Sequence, residues 1–136
     1  MIVWDANTMS TGISMIDAQH KMLFEKFNEF SATFSISPEA ASREAAGELL
    51  DFLQFYANWH FGREENCMNQ YKCPAAADNK KAHTEFLKTF SQFYEEWQTG
   101  NMTPKLINET YLSLESWLVN HVARVDTQLR SCVVKS

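Results

Sequence analysis

Apolar side chains recur at three- and four-residue steps in four successive stretches of this chain, and each stretch carries one of the four histidines on its stripe. The first begins near Asp17 and runs Ile16, His20, Leu23, Phe24, Phe27, Phe30, Phe34. The second, from Arg43 to Met68, runs Ala46, Leu49, Leu53, Tyr56, His60, Glu64, Cys67. The third, from Ala75 to Gln98, runs Asn79, His83, Phe86, Phe90, Phe93 or Tyr94, Trp97. The fourth opens with Thr103 as N-cap and Pro104 in the first turn, then runs Ile107, Tyr111, Leu114, Trp117 or Leu118, His121, Val125.

Short breaker segments separate them. Ser35–Ser42 has turn chemistry with Pro38 as a first helical residue, Tyr71–Pro74 stops the second stretch, and Gly100-Asn101 stops the third. Such a pattern predicts an all-α, antiparallel up-down-up-down four-helix bundle preceded by an N-terminal arm over residues 1 to 15. The 136 residues fit one domain, 1–136, large enough to need no disulfide staple. A net charge of -5 without a Lys/Arg-rich stretch argues against nucleic acid. No apolar run reaches the roughly 20 residues of a membrane span, and the N-terminus lacks the pattern of a signal peptide. Cys67, Cys73 and Cys132 form no Cys-x-x-Cys pair; the expectation is a packed thiol, a loop thiol and a tail thiol in a reduced, cytoplasmic setting.

A lone histidine on an apolar stripe is ordinarily a satisfied core side chain. Four are harder to satisfy. Counted through antiparallel neighbours, their depths differ by about four residues, or ~6 Å at the helical rise, so all four fall in one layer of the core. Neutral imidazoles crowded there are costly without partners, and a metal removes the cost. Two acids share the layer. Glu64 stands one turn beyond His60 on the same face. Asp126 is five residues beyond His121, an offset that a helix distortion or a flexible carboxylate absorbs. Each carboxylate has two oxygens and can bridge two ions. Imidazole and carboxylate together suit iron ahead of zinc or manganese.

These residues carry a resemblance. The chain resembles the bacterial hemerythrin family through Trp4-Asp5, Gly12 and Ile16-Asp17-Ala18-Gln19-His20-Lys21, through His60-Phe61-Gly62-Arg63-Glu64-Glu65 with Tyr71 and Pro74, and through Trp117-Leu118-Val119-Asn120-His121 with Asp126. The resemblance implies two non-haem iron ions bridged by Glu64, Asp126 and a solvent-derived oxo or hydroxo group. His20 and His60 would bind one iron, His83 and His121 the other. Dioxygen or another small exogenous ligand would enter a pocket of Leu23, Phe24, Phe61, Trp117 and Leu118, residues that plain core packing explains equally well.

One departure stands out. The family's third helix offers two histidines four residues apart, and here the first of those positions is Asn79. An amide is a poor iron ligand beside imidazole, so position 79 is expected to leave a vacant or water-filled place in the shell. Solvent access there favours autoxidation and hence a sensory domain, with a signalling output domain fused elsewhere. The alternatives are a stand-alone dioxygen carrier, or an enzyme such as a peroxidase, ferroxidase or nitric-oxide-handling protein. The Glu-x-x-His motifs of ferritin-like oxidases are absent.

Overall fold

A computed structural model describes residues 2–36, 40–100 and 103–135 of the chain. Pro38, Asn101 and the side chain of Phe34 lie outside the described residues. Among the described residues six α-helices and one π-helical segment follow in order: α1 (Ala6–Met9), α2 (Ser14–Ile36), α3 (Ala40–Gln70), α4 (Ala76–Gln98), α5 (Pro104–His121), the π segment Val122–Asp126, and α6 (Gln128–Lys135). The long helices α2 to α5 form the bundle, and the described residues contain no strand. No helix among them is long and apolar enough to cross a membrane.

The helix ends follow their local chemistry. The Thr103 hydroxyl accepts from the Leu106 amide at 3.2 Å, and Pro104 occupies the first turn of α5. Gly100 takes φ +76° just past α4, the left-handed conformation that ends a helix cheaply. The end of α3 is less obvious. Lys72 adopts φ 52°, the Cys73 amide donates to Met68 O at 2.8 Å, and the Lys72 amide donates to Asn69 O at 3.1 Å. This is the paired 6→1 and 5→2 closure usually built on glycine, and it turns the chain before Pro74.

The stripes face inward. Ile16, Leu23, Phe27, Leu53, Phe90, Ile107 and Leu114 are buried in or beside one core. Leu50, Ala57 and Phe61 widen the buried face of α3 beyond its predicted stripe. At the end of α5 the phase shifts. Val125 is only half-buried, while Val122 and Asp126 are buried.

The arm is pinned. Ile2 and Asn28 exchange two hydrogen bonds, at 2.7 and 2.8 Å. Asp17 Oδ1 accepts from both the amide and the hydroxyl of Thr11 at 2.8 Å, and Arg130 Nε donates to Ser10 O at 2.9 Å. Arm and C-terminal helix therefore close the same end of the bundle.

The cysteines correct the sequence-based expectation. Cys73 and Cys132 form a disulfide, with Cα atoms 5.5 Å apart, that ties the α3–α4 turn to α6. Only Cys67 is a free thiol. The expected loop thiol and tail thiol are partners, so cysteine usage no longer argues for a reducing compartment.

Candidate metal centre

Four helices and the π segment deliver the polar residues of one layer. His20 comes from α2, His60 and Glu64 from α3, Asn79 and His83 from α4, His121 from the last position of α5, and Asp126 from the end of the π segment. All seven are buried among apolar neighbours. The structure brings the four histidines into this one layer.

Glu64 is at the centre. Its Oε2 lies 3.0 Å from His20 Nε2 and 3.4 Å from His60 Nε2, and its Oε1 lies 3.2 Å from His83 Nε2. Asp126 Oδ2 lies 3.1 Å from His20 Nε2, and Oδ1 lies 3.1 Å from His121 Nε2. The donor atoms fall into two groups, each within 4.8 Å: His20, His60, Glu64 and Asp126 in one, Glu64, His83, His121 and Asp126 in the other. Both carboxylates belong to both groups, the arrangement needed to bridge two ions.

Does this donor set fit a metal pair? Asp126 Oδ1 is buried and accepts no hydrogen bond, although His121 Nε2 lies 3.1 Å away. A buried carboxyl oxygen left without a partner is costly, and a cation in front of it removes the cost. His83 Nε2 and His121 Nε2 are 3.1 Å apart, two ring nitrogens turned to one point. The residues fit.

Two of the histidines are also oriented from behind. His60 Nδ1 donates to Gln19 Oε1 at 2.6 Å, and His83 Nδ1 donates to Glu65 Oε2 at 3.0 Å. A proton held on Nδ1 leaves the Nε2 lone pair free toward the centre. Tyr56 donates its hydroxyl to Gln19 O at 3.1 Å, steadying that residue in turn. Sequence periodicity does not reveal Gln19 or Glu65 as partners, although each adjoins a motif residue.

With protons rather than metal between these groups, the electrostatics are strong. Burial alone lowers the His20 pKa, but bonding to Asp126 and Glu64 outweighs it and pushes the value from 6.5 up to about 10. Burial alone raises Glu64, yet the His20, His60 and His83 imidazoles hold its carboxyl well below the usual range. His83 is desolvated too, and contact with Glu64 raises its pKa overall.

Aromatic faces wall the second group. Phe61 stacks on His83 with ring centroids 3.8 Å apart, and Trp117 stacks on His121 at 4.4 Å. Leu23, Phe24 and Leu118 are buried in the main core. Asn79 is fully buried, with its amide directed into the centre.

Comparison with known proteins decides the family. Residues 11–131 match the family model "Hemerythrin HHE cation binding domain". The chain belongs to the hemerythrin family. A bacteriohemerythrin of Stenotrophomonas maltophilia (strain R551-3) is 29% identical over 136 residues, covering 100% of this chain and 83% of that one. A bacteriohemerythrin of Methylococcus capsulatus is 26% identical over 133 residues, covering 98% of this chain and 97% of that one. A crystal structure of wild-type hemerythrin superposes with a TM-score of 0.77 at 22% identity, covering 98% of both chains, a likeness of fold. Hemerythrins bind dioxygen at a di-iron centre, and this hemerythrin has buried His, Glu and Asp clusters able to hold one.

Proposed function

We propose that this domain is a sensory module that answers dioxygen, or another small exogenous ligand, at a di-iron site. His20 and His60 would hold one iron and His83 and His121 the other, with Glu64 and Asp126 available to both. The observation that carries the reading is the division of six buried side chains into two donor groups that share both carboxylates. A di-iron pair held there supplies reversible dioxygen binding coupled to a change of oxidation state. The chain's part is to fix donors, exclude water and pass on a displacement. Gln19 and Glu65 hold the protons of His60 and His83 on Nδ1. Leu23, Phe24, Phe61, Trp117 and Leu118 keep the surroundings apolar and admit a small ligand.

Two features favour sensing over storage. A neutral amide at Asn79 replaces an imidazole, and a poor iron ligand is one that an exogenous oxidant displaces more readily. Asp126 also ends the π segment that leads into α6, so a change at the bridge acts on the last helix. We assign the output to a fused signalling domain and the turnover of substrate to none of the residues here. Anaerobic reduction followed by air, with the visible spectrum recorded over time, tests this. A sensor oxidises quickly, and Asn79→His slows the change. A long-lived oxygenated form that reverts on deoxygenation contradicts it.

The second reading is a stand-alone dioxygen carrier. It is favoured by the Methylococcus capsulatus relative, which is matched over 97% of its own length and has no room for an output domain.

A further inference from the structure

We infer that the side-chain carbonyl of Asn79 is itself an oxygen ligand of the second metal position, so that this place in the shell is filled by protein. The inference rests on the di-iron reading above.

The amide's orientation is determined by its neighbours. Asn79 Nδ2 donates to Glu64 Oε1 at 2.9 Å and to Met68 Sδ at 3.2 Å, so both amide protons have acceptors. Turning the amide over sets Oδ1 against an ionised carboxylate and a thioether, neither of which has a proton to give. Oδ1 therefore faces inward, 2.7 Å from His121 Nε2. That nitrogen lies 3.1 Å from His83 Nε2, which lies 3.2 Å from Glu64 Oε1. Donors held ~2.1 Å from one divalent ion at right angles to each other stand about 3.0 Å apart. The three successive spacings from Asn79 Oδ1 through His121 and His83 to Glu64 Oε1 have that size. Asn79 also precedes His83 by four residues, so the two project from one face of α4.

Met68, fully buried on α3, is the positioning residue: its sulfur holds the amide nitrogen away from the metal. The second position then has two imidazoles, one neutral amide oxygen and two shared carboxylates. It binds iron more weakly than a three-imidazole shell, because imidazole is the better donor to iron.

The test uses the whole chain, stripped of metal and labelled with 13C at asparagine side-chain carbonyls, titrated anaerobically with Fe(II). In the wild type an asparagine carbonyl band moves to lower wavenumber in the infrared difference spectrum as the second equivalent binds. Asn79→Leu keeps the volume and lacks the donor. It should abolish that shift and weaken the second equivalent by about tenfold or more, leaving the first unchanged. Asn79→Asp, still an oxygen donor, should retain the second equivalent. Two equivalents bound by the wild type without any carbonyl shift overturn the role of Asn79 and leave the di-iron reading standing. Equal affinity of Asn79→Leu and wild type for the second equivalent does the same. A wild type that takes up no iron overturns both.

Discussion

His121 Nε2 and Asp126 Oδ1 lie 3.1 Å apart although five residues separate them along the chain. In an α-helix five residues rotate the side chain by 500°, about 140° off the starting face. The π segment Val122–Asp126 closes that gap, and such one-turn insertions recur where a helix must re-aim a functional side chain. Deleting Ala123 would remove the extra residue and leave the carboxylate four residues after His121, still on its face, as Glu64 is to His60. Inserting an alanine after Ala123 instead carries the carboxylate about 100° further round the helix. On insertion we expect metal uptake to fall to one ion per chain or fewer while helix content by circular dichroism stays near wild type, and unchanged uptake would show that the register of the π turn is dispensable.

Glu64 touches three histidines, so its loss is felt with and without metal. Glu64→Ala leaves the His20 imidazolium buried without one of its two partners. Breaking a buried pair in this way costs about 3–5 kcal/mol. Chemical denaturation of the metal-free variant should show a loss of that order, and metal analysis should show no bridged pair. A variant as stable as wild type would mean that the buried ion pair contributes nothing.

The pH dependence of the metal-free protein has a definite sign. His20 is raised from 6.5 to about 10, so its contribution is fully present below 6.5 and is lost as pH rises through 10. Glu64 is lowered, so its contribution is present above its ordinary 4.5 and is lost as pH falls through the depressed value. Thermal stability in EDTA should therefore peak between pH 4.5 and 6.5 and decline on the alkaline side. Iron must displace the His20 proton, so iron binding should strengthen with rising pH and move the optimum upward. A metal-free melting temperature that climbs steadily from pH 7 to 10 would contradict the His20 assignment.

The Cys73–Cys132 disulfide spans 59 residues and closes a loop containing α4 and α5. Loop closure of that length stabilises by about 2–4 kcal/mol. Cys132→Ala, or a strong thiol reductant, should lower the melting temperature accordingly, and free-thiol counts should rise from one to three on reduction. Three free thiols in the native, air-purified protein would remove the disulfide from the account.

Periodicity alone makes much of this legible. Phe27, Leu53, Phe90 and Leu114 are buried where a 3.6-residue repeat puts them, and four histidines on those stripes determine the layer. What periodicity misses is whatever departs from a regular helix or spans distant segments. Periodicity puts Val125 inside, and the π turn gives its place to Asp126. The link between Cys73 and Cys132 depends on how the arm and α6 close the bundle end, which spacing does not encode. Gln19 and Glu65 act through ring nitrogens facing away from the centre, so their role appears only once the helices are packed.

The most direct test is metal content after anaerobic reconstitution with Fe(II), read for wild type beside Glu64→Ala and Asp126→Ala. The account predicts two irons per wild-type chain, magnetically coupled because they share bridges, and the pair lost when either acid is removed. Stoichiometric zinc in place of iron, or two irons that stay bound and uncoupled without Glu64 and Asp126, would contradict it.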